Sequence, residues 1–76
     1  NNLLMQTSQA FDDIYLLYQR NNYDRAATIT LLVINFELTT EVAEEYLTIA
    51  IKRQIALQEK NRLLSEIGSI LSKYQQ

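Results

Sequence analysis

Glu41, Glu44 and Glu45 stand at a spacing that places all three carboxylates on one face of a helix. Oxygen ligands grouped in this way suit a hard divalent cation, and with His on facing helices they would make a di-iron centre. The chain has no His, so the facing ligands of such a centre are missing. Thr39 and Thr40 come immediately before the three carboxylates, and a hydroxyl cap followed by acidic side chains is how a helix commonly begins. Helix initiation is therefore the role this cluster is expected to play. Asp12 and Asp13 are adjacent and diverge by about 100° on a helix, which makes them a solvated edge rather than an acid and base pair. Ser65, Ser69, Ser72 and Lys73 supply hydroxyls and an amine, yet a surface Lys is protonated and cannot activate them. A single Gly in the chain leaves no Gly-rich turn for an oxyanion hole or a phosphate cradle. The chain also has no Cys, which removes thiol chemistry, disulfides and an N/S zinc site. The expectation is a protein that is not an enzyme, with no catalytic residue, no cofactor and no metal.

What remains is a chain of 76 residues, 47% hydrophobic and 21% charged, with no Pro, the balance of one folded helical domain spanning 1–76. Charge is unevenly placed. Residues 1–45 hold two basic and seven acidic side chains, a net −5, whereas residues 46–76 hold five basic and two acidic, a net +3. Such polarity favours antiparallel self-association or a partner of mixed charge. Lys52, Arg53, Lys60 and Arg62 form the one basic concentration, and a nucleic-acid-binding regulator using 52–62 is one alternative. Against it, the chain is acidic overall and no aromatic residue interleaves with these four.

These groups are positioned by helices. Leu3, Ala10, Ile14 and Leu17 fall on one stripe, with Leu4, Phe11, Tyr15 and Tyr18 beside it, which predicts an amphipathic helix over 3–20. Asn21 and Asn22 favour a turn, and Asp24 is placed to cap a second helix over 25–37. That segment is apolar almost all round, so it is expected to be a central helix packed on both sides; its β-branched content also suits a strand, but no partner strand exists elsewhere. A third helix starts at Thr39-Thr40. It either runs on to Tyr74 or breaks at the wholly polar Gln58-Glu59-Lys60-Asn61, and the break, with Asn61 capping a fourth helix, is the preferred reading. Either way apolar stripes remain at Val42, Leu47, Ala50, Ile51 and Ile55 and at Leu64, Ile67, Leu71 and Tyr74. The fold class expected is all-α, a small bundle of three or four antiparallel helices, with the third and fourth either separate or continuous.

The longest apolar run, Ala26–Phe36, is interrupted by Thr28, Thr30 and Asn35 and falls short of the roughly 20 residues that cross a bilayer. No transmembrane segment is expected. The first seven residues lack the basic and apolar regions of a signal peptide, and a cytoplasmic location is assumed.

Two fragments resemble known families. Tyr18, Tyr23 and Ala26, with Ala43-x-x-x-Leu47-x-x-Ala50, resemble pieces of the small and large residue pattern of tetratricopeptide helix pairs, although the Pro and the 34-residue recurrence of that repeat are absent. Leu64-Ser65-Glu66-Ile67-Gly68 resembles the last helix of small bacteriocin immunity proteins, which implies a four-helix bundle that protects a producer cell. The reading adopted rests on neither. By elimination of chemistry, and because the C-terminal stripes exceed what one short helix covers, the chain is expected to be a protein-interaction module that binds itself, as a homo-oligomer, or a protein partner. Its interface is expected at Tyr46, Ile49, Arg53, Leu63, Ile67, Ile70 and Tyr74, where aromatic and Arg side chains are the usual anchors.

Overall fold

The computed structural model describes the backbone of residues 2–74 and the side chains of residues 8–74. It contains three helices, α1 (Asn2–Arg20), α2 (Arg25–Phe36) and α3 (Thr40–Tyr74), and no strand among the described residues. The all-α expectation is borne out. The side chains of Leu3 and Leu4, placed on the first helix's stripe, lie outside the described residues.

Each boundary follows from local chemistry. α1 ends where Asn21 donates from Nδ2 to the Leu17 carbonyl at 2.7 Å, and Asn22 and Tyr23 then take left-handed backbone conformations at φ 59° and 60°. Asn tolerates that region well, Tyr less so, and the Tyr23 ring lies edge-on to Tyr18 at 5.4 Å. Asp24 caps α2 by accepting from the Ala27 amide at 3.1 Å. Glu37, with φ 55°, ends α2 in the left-handed conformation that usually falls to Gly. Thr39 opens α3 by accepting from the Val42 amide through Oγ1 at 3.2 Å.

The preferred break at residues 58–61 does not occur: α3 is one helix of 35 residues, about 52 Å long. Gln, Glu and Lys are good helix formers, so a polar tetrapeptide is not in itself a stop. Arg62 also ties the segment together, donating to Glu59 one turn back and to Glu66 one turn ahead.

The core is small and sits at one end. Ile29 and Leu32 of α2 cluster with Ala43 and Leu47 of α3, with Ile14, Leu17, Tyr18, Val33, Leu38 and Ile51 packed around them, and Thr28 and Ala50 are buried as well. Thr28 satisfies its buried hydroxyl by donating to the Asp24 carbonyl at 2.8 Å. α1 and α2 both pack on the first half of α3 and touch each other little. For that reason α2 is not covered on both sides, and Ile34 and Phe36 are 67% and 62% exposed. Ile55, expected to extend the first stripe, is exposed as well. The result is a three-helix head with a long projecting arm. The radius of gyration, 16.7 Å, compares with about 11 Å for a compact chain of this length.

Candidate interaction surface

From Ile55 to Tyr74 every residue of α3 is exposed. Over this arm most side chains divide by face, the exceptions being Lys60 on the apolar side and Ile55 on the polar side. Leu57, Leu63, Leu64, Ile67, Ile70, Leu71 and Tyr74 form an apolar stripe, while Gln58, Glu59, Arg62, Ser65, Glu66, Ser69 and Lys73 take the other side. Ile67 is 51% exposed and Tyr74 83%. The stripe lies about 120° around the helix from the buried row Ala43, Leu47 and Ala50, so it does not continue the core face. It continues an exposed row of the head instead.

That row carries the seven residues expected at the interface. Tyr46, Ile49 and Arg53, then Leu63, Ile67, Ile70 and Tyr74, follow alternating steps of three and four residues, and Ala56 and Lys60 fill the gap between the two sets. All seven therefore share one face of one helix. Ile49, Leu63, Ile67, Ile70 and Tyr74 are open. Tyr46 is held by Phe11, whose ring lies edge-on at 5.9 Å. Arg53 is the exception, since its guanidinium donates to the Asp12 carboxylate of α1 within the same chain. Leu57, Leu64 and Leu71 widen the stripe to three apolar positions in seven, and the same three-four spacing singles them out in sequence.

The other clusters do not assemble into sites. Glu41, Glu44 and Glu45 remain exposed, and no three acidic residues among those described are placed to hold a metal ion. Arg25 sits beside them, donating to the Thr48 hydroxyl at 2.6 Å and to the Glu44 carbonyl at 3.3 Å, which ties the start of α2 to α3. The basic residues 52–62 do not converge either. Lys60 and Arg62 point about 160° apart on the helix, Arg53 is paired with Asp12, and Arg62 is shared by Glu59 and Glu66. Hydrogen bonding by Arg62 holds the Glu59 carboxyl below the ordinary glutamate range, and Glu59 in turn raises the Arg62 guanidinium.

No family model, curated protein or solved structure matches this chain. Its own geometry is what bears on function. A cleft of about 570 Å³ opens between α1, the end of α2 and α3. Its walls include Ile14, Leu17, Leu32, Phe36, Leu38 and Tyr46, and Asp13 and Arg20 are the charged residues among those described. Most of its described lining is apolar. No single described helix is long and apolar enough to cross a membrane.

Proposed function

We propose that this protein is a non-enzymatic helical interaction module that self-associates through the apolar stripe on the arm of α3. One observation carries the reading: a helix of some five turns beyond the head is exposed all round yet keeps an apolar face along its length, interrupted only by Lys60. A helix of that length is marginal alone in water, and packing of an apolar face is what normally holds it. Scattered exposed apolar residues are ordinary, but a contiguous stripe of this kind characterises association surfaces. The lack of His and Cys and the apolar lining of the cleft also favour contact over chemistry.

Light scattering on a sizing column, at low and high salt, tests this. The expected result is a mass that is a multiple of 8.9 kDa, insensitive to salt, and reduced to the single chain by Ile67→Asp or Ile70→Asp. Ser65→Asp, on the polar face, controls for a general effect of added charge and should leave the mass unchanged. A single-chain mass at every concentration, or an oligomer indifferent to both stripe substitutions, overturns the reading.

A further inference from the structure

We propose that the stripe on α3 is covered by the same stripe of a second copy running antiparallel, with Ile67 on the two-fold axis. The inference rests on the self-association reading above and adds to it the orientation and register of the pair. What decides between orientations is Lys60, the one charged side chain in the middle of the apolar face of the arm.

A parallel, in-register pair would set every stripe residue against its own counterpart. Lys60 would then face the partner's Lys60 as the surface between them dries, and like charges so placed oppose association. An antiparallel pair using the whole row from Tyr46 to Tyr74 has its midpoint at residue 60 and meets the same obstacle. Centring the pair on Ile67 avoids it. Ile67 then meets its own copy, Leu63 meets the partner's Ile70, Leu64 meets the partner's Leu71, and Lys60 comes level with the partner's Tyr74. An ammonium against an aromatic ring at the wet end of an interface is a favourable contact.

The charged flank agrees with this register. In an antiparallel two-fold pair each flank of a helix faces the same flank of its partner. Glu59 and Lys73 lie on one flank of the stripe, and their numbers sum to within two of twice 67, so Glu59 falls about 3 Å along the axis from the partner's Lys73. Two such opposite-charge pairs form, one at each end, with each Glu59 shared between the partner's Lys73 and its own Arg62. Near the axis the two Glu66 side chains share this flank, and each is already held by its own Arg62. The opposite flank presents the uncharged Asn61 and Gly68. Antiparallel helices also oppose their dipoles.

The chain contains no Cys, so single-Cys variants of the full chain report register cleanly. Under mild oxidation, Ile67→Cys is expected to give a disulfide-linked pair. Lys60→Cys alone and Tyr74→Cys alone should give little, while a mixture of the two should link to each other. To avoid altering the stripe, spin labels on Lys52→Cys give an independent reading. The antiparallel register separates the two labels by about 45 Å along the axis, whereas a parallel pair brings them to the same level. An oligomer whose Lys60→Cys or Tyr74→Cys variant links efficiently to itself, or whose Lys52→Cys labels are close, overturns the register and leaves self-association standing. A single-chain mass for the unmodified protein overturns the self-association reading itself.

Discussion

Arg53 of α3 is paired with Asp12 of α1, 41 residues earlier in the chain. It is the most C-terminal polar contact that α3 makes with another helix among the described residues, and it marks where the head ends and the arm begins. The two side chains are 32% and 44% exposed, so solvent screens the pair and its worth is that of a surface ion pair, about 0.2–1 kcal/mol. Asp12→Asn is therefore expected to lower the melting temperature of the head by a few degrees and to leave the solution mass unaltered. Thermal melts and light scattering on the same sample check both. Were Arg53 a free anchor of the interface, Arg53→Ala would change the mass and Asp12→Asn would change nothing.

That pairing also shows where sequence stops being informative. The start of each later helix was legible because its signal is local: Asp24 lies three residues before the amide it caps, and Thr39 three before Val42. The row of interface candidates was legible for the same reason, since steps of three and four residues define a helix face without knowledge of the fold. Arg53 belongs to that row by spacing, but its partner is set by the packing of α1 on α3, which no local pattern encodes. The exposure of Ile34 and Phe36 is a further case. An apolar segment reads as buried on both sides, yet only three helices exist among the described residues and α1 gives α2 little cover. The missing break at residues 58–61 reflects a polar stretch mistaken for a stop, when its side chains favour helix and Arg62 staples it.

Gly68 lies inside the arm, where Gly is unfavourable relative to Ala by about 0.8–1.0 kcal/mol. A Cβ added there meets nothing within 4 Å, and the position is about 100° around the helix from Ile67, away from the centre of the stripe. Gly68→Ala should therefore strengthen the arm without obstructing association. Amide exchange over residues 63–74 is expected to slow by roughly fivefold, the equivalent of about 1 kcal/mol, with the mass unchanged. A loss of association in this variant would mean that Gly68 permits a close helix crossing, and the contact face would then have to include it.

Glu59 gives the arm a response to acid whose sign is fixed by its partner. Because Arg62 hydrogen-bonds the ionised form, the Glu59 carboxyl is held below the ordinary glutamate range in the helix. A carboxyl depressed in the folded state contributes stability that is fully present above its unfolded value and is lost as pH falls through the folded one. Arg62 itself is raised and stays charged throughout. Helicity of the arm should accordingly be level through neutral and mildly acidic pH and decline only once the pH drops below the ordinary glutamate range. Under the antiparallel register the same proton also removes the attraction between Glu59 and the partner's Lys73, so association should weaken over the same interval. Glu59→Gln isolates the contribution of this one carboxyl: it should begin with lower helicity at neutral pH and show a smaller acid-induced loss. Circular dichroism and light scattering across an acid series measure the two quantities. An unchanged acid response in Glu59→Gln would show that the bridge across residues 59–62 does not help to hold the arm together.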